Sequence, residues 1–214
     1  MVLSQMIPFK VEADKMKVLD KDKYEIYYAK RLCGLDAGKQ YKKLLKRDLK
    51  ISPTEFINAD LYRKFGGISL EIRNIEDWPL RLLFTKNGAK IYFLEEDTVL
   101  YRIADSVSHS SKTLYNYNHL KQTEILKRTL IYPNVKKWDI IYYSSELIEK
   151  LRYFLIVNIN NNQISKKNVI INRFLMIFEL QKLPERICRF FMNDKLNPPA
   201  MLGRLEEDVS GMRK

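Results

Sequence analysis

Apolar and polar residues alternate most regularly between residues 68 and 104, and a period of two predicts β-strands. The stretch ISLEIRNI at 68–75 would place its apolar side chains on one face of a strand. Farther along, Asn87 and Gly88 separate two strand-like runs, and an Asn-Gly pair readily adopts the positive φ angles of a two-residue hairpin turn. We therefore predict an antiparallel β-meander at about 68–104, ending in a strand at 99–103.

The chain ahead of the meander begins with a short strand, in which Ile7, Phe9 and Val11 alternate with polar residues. An apolar spacing of three and four residues then predicts amphipathic helices at 22–33 and 36–50. The second of these helices carries lysines on the side away from its apolar stripe.

The sequence SPTEF at 52–56 predicts the start of a third helix. Ser52 is a suitable N-cap, Pro53 fits the first helical position, and Glu55 completes a capping box. The apolar stripe continues from there until Gly66, which is expected to end the helix.

After residue 110 the apolar spacing becomes helical again. The predicted elements are a helix that ends before Pro133, a strand at 138–143, and helices at 145–157, at 165–181 and from Pro184 onward. The asparagine-rich residues 158–163 are expected to form a linker. The helix at 165–181 is so apolar that we expect it to be buried.

Together these elements predict an α+β fold, in which the meander is flanked by N-terminal helices and by a helical C-terminal half. A chain of 214 residues is long enough to form one domain with its own core, which we place at 1–196. This domain divides into a mixed helix and sheet part at 1–110 and a helical part at 111–196. Residues 197–214 are expected to form a partly ordered tail.

The composition is typical of an intracellular globular protein. Hydrophobic residues make up 46% of the chain and charged residues 30%. The N-terminus lacks the pattern of a secretory signal, and the apolar runs are far shorter than the roughly 20 residues that span a bilayer. Cys33 and Cys188 are far apart in sequence and are expected to be reduced thiols. We expect a location in the cytoplasm or nucleus, which includes a viral protein in a host cell, and no membrane partner.

The net charge of +12 is concentrated outside the meander. The segments 39–50 and 112–137 each carry six basic residues against one acidic residue. Clustered lysines neutralise the phosphates of a nucleic acid and release its counterions. We predict two basic patches that contact phosphates, formed by Lys39, Lys42, Lys43, Lys46, Arg47 and Lys50 and by Lys127, Arg128, Lys136 and Lys137.

Aromatic residues such as Tyr132 and Trp138 lie among the cations of the second patch, a mixture that favours base stacking. The sequence thus predicts an accessory or regulatory protein that binds nucleic acid. The choice between DNA and RNA and any sequence specificity stay open, and a solvated basic surface without a partner is the competing interpretation.

The stretch RLCGLDAGKQ at 31–40 differs from a phosphate-binding P-loop in two respects. A P-loop has four residues between its glycines and a Ser or Thr after its lysine. Here Gly34 and Gly38 enclose three residues, and Lys39 is followed by Gln40. The segment predicts instead a helix that ends at a glycine, followed by a short turn into the basic helix.

Candidate catalytic groups are few. His109 and His119 have no third residue at the spacing of a zinc site. Asp60, Glu71 and Arg73 loosely resemble the D…(D/E)-x-K pattern of PD-(D/E)xK nucleases, with arginine in place of the lysine, and this resemblance implies Mg²⁺-dependent cleavage. A metal-dependent nuclease is therefore one alternative function, although the sequence as a whole favours a protein without catalytic activity or cofactor.

A second alternative is a non-catalytic interaction subunit of a larger assembly. The apolar helix at 165–181 and the aromatic stretch RFFM at 189–192 are suited to burial against another chain as well as against the sheet. The sequence thus allows a protein partner or a homodimer that forms through the C-terminal helices.

Overall fold

A computed structural model of the 214-residue chain describes residues 1–50, 54–67, 72, 75–103, 117–157, 170–171, 174–175 and 177–192. The chain divides into two compact units. Unit 1 comprises Met1–Ser106 and Asn118–Val135, and unit 2 comprises Val107–Tyr117 and Lys136–Lys214.

The described part of unit 1 contains a four-stranded sheet around the N-terminal strand. The strands are β1 (Val2–Glu12), β2 (Lys15–Val18), β3 (Glu55–Phe56) and β4 (Tyr92–Arg102). β1 pairs antiparallel with β2 and β3, and parallel with β4. Ala13 and Asp14 close the β1–β2 hairpin with φ angles of 47° and 61°, as a type I′ turn requires.

The parallel pair of β1 and β4 is irregular in its first half, where the register shifts. There the Gln5 side chain donates a hydrogen bond from Nε2 to Glu95 O (2.7 Å), and the hydroxyls of Ser4 and Thr98 lie 2.5 Å apart. These bonds tie the two strands together where the bulge interrupts the backbone ladder.

Helices connect the strands, because two parallel neighbours cannot be joined by a hairpin. Between β2 and β4 the chain forms α1 (Lys23–Cys33), α2 (Ala37–Leu44), α3 (Ala59–Lys64) and α4 (Asp77–Lys86). After β4 it forms α5 (Tyr117–Leu126), which continues into a π-helical turn (Lys127–Ile131). Asp22, Asp36 and Asn58 cap α1, α2 and α3 by accepting hydrogen bonds from backbone N–H groups of the first turn.

Unit 2 contains α6 (Ile140–Val157), a 3₁₀ turn (Leu180–Lys182) and α7 (Leu183–Phe191). α6 packs against the 3₁₀ turn through polar side chains: the Ser145 hydroxyl accepts a hydrogen bond from Gln181 N (3.0 Å), and Glu149 pairs with Lys182 (3.2 Å). Within the described ranges, no helix is both long enough and apolar enough to cross a membrane.

The predicted α+β class is confirmed, but the sheet is not assembled as the predicted meander. Residues 77–86 form α4 instead of a strand, with Pro79 in the first turn, where its missing N–H is tolerated. Gly88, at φ 83°, follows the end of this helix. A glycine with positive φ suits a helix C-terminus as well as a hairpin turn. The Asn87-Gly88 pair in the sequence was therefore compatible with the end of a helix as well as with the predicted hairpin. Residues 68–71 of the predicted first strand lie outside the described residues.

Two N-terminal helices also have different bounds. The basic helix ends at Leu44 instead of residue 50, because the chain turns inward after Lys46 and Asp48 binds Arg81. Glu55, which we assigned to a capping box, lies in β3 and also binds Arg81. The third helix therefore begins after Asn58 and not at 52.

In the C-terminal half, the predicted strand at 138–143 is the beginning of α6. The Asp139 carboxylate accepts a hydrogen bond from Tyr142 N (3.0 Å), which satisfies a donor of the first turn. The tail predicted at 197–214 and most of the helix predicted at 165–181 lie outside the described residues.

The core of unit 1 is mainly apolar but encloses several polar side chains, among them an amide and a guanidinium. Its buried side chains come from the sheet and from α1, α2 and α4, and include Leu3, Leu32, Leu44, Phe84 and Ile91. Gln40 on α2 is buried among them. Its Nε2 donates to Ile91 O and its Oε1 accepts from Ile91 N, both at 2.8 Å. The side chain thus supplies both hydrogen-bond partners of the Ile91 backbone, just before β4, in the way that a neighbouring strand would.

Arg81 on α4 is fully buried in a polar site. It donates to Glu55 (2.6 Å), to Asp48 (2.6 Å) and to Leu49 O (2.7 Å). Burial raises the pKa of both carboxyl groups, and the attraction of Arg81 opposes this rise. Although burial disfavours the charge of Arg81, the two carboxylates hold its pKa above the ordinary value. One guanidinium thus joins α4, β3 and the segment after α2.

Replacement of Arg81 by methionine should be strongly destabilising, because it leaves two carboxylates inside the protein without their cation. We expect Arg81→Met to lower the free energy of unfolding by about 3–5 kcal/mol. Arg63→Met is the matched control, since Arg63 pairs with Asp60 on the exposed side of α3, and its loss should cost less than about 1 kcal/mol. Urea unfolding followed by far-ultraviolet circular dichroism measures the free energy of unfolding of both variants. An equal decrease in the two variants would contradict the role of Arg81 as the cation of a buried ion-pair site.

The two cysteines differ in accessibility. Both are free thiols, with Cys33 buried and Cys188 half-buried. Burial raises the pKa of Cys33 to about 12, so almost none of it is thiolate at neutral pH.

In the folded protein at pH 8, we expect a thiol-specific disulfide reagent to modify Cys188 and to leave Cys33 unreacted, because only the thiolate attacks. Addition of urea should release the second thiol. The variant Cys188→Ser should lose the native-state reaction completely. A native Cys33 that reacts as fast as Cys188 would show that the end of α1 is not packed as described.

Candidate nucleic-acid interface

Four lysines form a row along the outer side of α2 and its C-terminal turn. Asp36 begins the helix by accepting a hydrogen bond from Lys39 N (2.8 Å), while Gln40 and Leu44 point into the core. The exposed lysines that we call the lysine row are Lys39, Lys42, Lys43 and Lys46. At 3.6 residues per turn, they lie within an arc of about 100°, opposite the buried side.

Lys46 belongs to this row although α2 ends at Leu44. The C-cap residue Leu45 keeps helical angles (φ −58°, ψ −28°), and Lys46 N donates to Lys43 O (3.0 Å). The chain therefore completes one more turn before it leaves the helix direction.

The carboxylates near the row leave most of its charge available. Lys39 pairs with Asp36 (2.8 Å), and this hydrogen bond raises the pKa of Lys39. Both groups are well exposed, so water and salt weaken the pair. Within the described residues, no carboxylate is at ion-pair distance from Lys42 or Lys43. The ammonium groups of Lys42 and Lys43 thus keep their charge available at the surface.

Arg47 does not belong to this surface. Its side chain is only 18% exposed and forms an ion pair with Glu25, which is buried on α1. The guanidinium also lies 4.0 Å from the ring centre of Tyr28 and 5.1 Å from that of Tyr24. Arg47 therefore stabilises the packing of α1, and we remove it from the candidate interface. Lys50 is exposed, but it lies beyond the row, where its backbone N donates to Glu25 (3.3 Å).

The residues of the second predicted patch are divided between the two units. Lys127 is only 7% exposed, on the inner side of the π-helical turn. Arg128 is exposed and pairs with Glu124 (2.7 Å) one turn earlier. Lys136 and Lys137 are exposed but belong to unit 2. We therefore restrict the candidate interface to the lysine row.

The segment between α1 and α2 is a helix-to-helix link, as predicted, and not a nucleotide loop. Gly34 follows the last turn of α1, and Asp36 already caps α2. A P-loop would require a strand before the glycines, and α1 occupies that position.

The nuclease alternative gains no support from the described residues. Asp60 is exposed on α3 and pairs with Arg63 (3.0 Å), while Glu71 and Arg73 lie outside the described residues. Within the described ranges, no group of three His, Cys, Asp or Glu side chains is placed to hold a metal ion.

The sequence did not reveal that Glu25, Gln40 and Arg81 are buried polar residues. Each of the three occurs in a helical pattern at a position that an exposed residue would also fill. The partners Arg47, Ile91, Asp48 and Glu55 are between 22 and 51 positions away from them in the chain, so no local spacing indicates these contacts.

No protein-family model, no curated protein and no solved structure matches the chain.

Two neighbouring basic residues should respond differently to mutation. Arg47→Met removes the partner of a buried carboxylate and should lower the free energy of unfolding by about 3 kcal/mol or more. Lys43→Met, at an exposed position of α2, should change it by less than about 0.5 kcal/mol. Urea unfolding measures both values. A small effect of Arg47→Met would return this arginine to the candidate interface.

Proposed function

We propose that the protein is a nucleic-acid-binding accessory or regulatory protein that contacts the phosphate backbone through the lysine row. The observation that carries the proposal is that the four lysines are exposed on the outer side of α2 and its C-terminal turn, while the other side of the helix is fixed in the core. The net charge of +12 supports the same function, because it attracts a polyanion over distances beyond direct contact.

Lysines spaced along one helix are suited to a linear polyanion. Each ammonium is a flexible point charge that binds a phosphate without fixing its orientation. Contacts of this kind position a protein on the backbone and carry no sequence information. The proposed binding is therefore independent of sequence, and its strength comes from the release of counterions.

The anchoring of α2 gives the row a fixed geometry. Gln40 holds the helix to Ile91 from the inner side, and the Trp78 indole N–H donates to Leu44 O (2.8 Å) at its C-terminal end. The lysines thus share a rigid base, so that they bind neighbouring phosphates together.

We predict a steep salt dependence of binding that the lysine row determines. A fluorescent 20-nucleotide probe, as duplex DNA and as single-stranded RNA, is titrated with the protein at several salt concentrations. The triple variant Lys42→Gln, Lys43→Gln and Lys46→Gln should bind more weakly and should reduce the slope of log K against log salt by about 2–3.

The matched control is the triple variant Lys10→Gln, Lys15→Gln and Lys86→Gln. It removes the same charge from exposed positions of unit 1 outside the row. We expect this control to keep a slope within about 1 of the wild-type value, since only contacting residues change the number of released counterions. Equal effects of the two variants would show that net charge alone attracts the probe, and absence of binding at low salt would refute the proposal.

A further inference from the structure

Helix α6 has an apolar outer side, whereas Ser145, Glu149 and the buried Tyr142 lie on its inner side. Ser145 and Glu149 contact the 3₁₀ turn, so the inner side of the helix is held by hydrogen bonds and an ion pair. On the other side, Ile140, Leu147 and Leu151 are 77%, 68% and 42% exposed. This is the reverse of the distribution on a surface helix of a monomeric globular protein.

The same reversal occurs on α7, in the same unit. Arg189 is buried, and Arg186 donates to the buried carboxylate of Glu179 (2.5 Å). Phe190 and Phe191 are 74% and 78% exposed. Both described helices of unit 2 thus expose apolar side chains.

The spacing of the outward residues on α6 fits a helix partner. Ile140, Ser144, Leu147 and Leu151 follow one another at intervals of four, three and four residues. This is the 3.5-residue period by which two helices keep one seam in contact. The stripe from 140 to 151 covers the first two thirds of this 18-residue helix, so each copy contributes about three turns, or about 18 Å, to that seam.

The charge around the seam favours an identical partner over an anionic one. Residues 136–151 contain Lys136, Lys137 and Lys150 against Asp139, Glu146 and Glu149, a net charge of zero in a chain of net charge +12. Two such surfaces do not repel each other. An anionic membrane attracts basic amphipathic helices, and this segment has no excess of basic residues.

The exposed apolar area is of the size that a modest dimer needs. Together Ile140, Ile141, Leu147 and Leu151 leave on the order of 400 Å² of side chain exposed, so two copies bring together about 1,000 Å² once the rim is included, near the lower limit for a specific interface. The isologous contact of a two-fold dimer buries the same stripe on both copies.

We propose that the outward stripe of α6, formed by Ile140, Leu147 and Leu151, is the seam of a homodimer in which it packs against the same stripe of a second copy. This interface is independent of the lysine row, which lies in unit 1.

Light scattering after size-exclusion chromatography, at protein concentrations from about 5 to 200 μM, tests the dimer by mass action. We expect the mass of the full chain to rise with concentration from 25.5 kDa toward 51 kDa. Leu147→Glu places a charge in the seam and should remain at 25.5 kDa with an unchanged circular dichroism spectrum. The control Lys121→Glu, at an exposed position of α5 in unit 1, should dimerise like the wild type.

A milder variant keeps the test valid if glutamate impairs folding. Leu147→Ala preserves the helix and removes the exposed side chain, and it should raise the dissociation constant of the dimer about tenfold or more. A wild-type chain that stays monomeric throughout the concentration range overturns the proposal. A dimer that neither variant weakens overturns it as well, since another surface then forms the contact. Co-sedimentation of a monomeric chain with phosphatidylserine vesicles would assign the stripe to a membrane surface instead.

Discussion

The enclosure of Arg81 between Asp48 and Glu55 is the constraint on which the rest of unit 1 depends. A buried guanidinium is tolerated only where carboxylates and carbonyls complete its hydrogen bonds, so α4, β3 and the segment after α2 have to meet at one point. This requirement turns the chain inward after Lys46 and ends the basic helix early. It therefore also decides which lysines share the outer side of α2.

Side chains of similar chemistry have opposite roles within a few residues of each other. Arg47 neutralises a buried glutamate and stacks on two tyrosines, whereas Lys43 is exposed on the outer side of α2 with no described carboxylate at ion-pair distance. A planar guanidinium is suited to the first role because it pairs and stacks at once, and a hydrated ammonium is suited to the second. The cost of leaving a charge unpaired inside the protein explains why mutation should separate the two roles so clearly.

Patterns that act within one turn were readable from the sequence, and patterns that act across the chain were not. The α+β class, the glycine at the end of α1 and the exposed lysines of α2 follow from local periodicity and capping. The strand order did not follow, because β1 pairs with β4 across some ninety residues and no hairpin signal records that pairing. The wrong strand at 77–86 arose from an Asn-Gly pair, whose positive φ ends a helix as readily as it turns a hairpin. Arg47 and Lys127 were included in the interface because composition counts charges and does not show which of them are buried.

The two proposals place association and polyanion binding in separate units of the molecule, and this separation has an energetic consequence. The proposed dimer carries two lysine rows. Once one row has bound a long nucleic acid, the second row meets the same molecule at a high effective concentration. The proposed seam on α6 is small and neutral, so we expect the proposed dimer to form weakly and its population to depend on protein concentration. A long nucleic acid that engages both rows stabilises the dimer by linkage, because it binds the paired chains more tightly than the single chain. A probe too short to reach both rows lacks this coupling, so the affinity of the protein for nucleic acid should depend on probe length more steeply than on probe sequence.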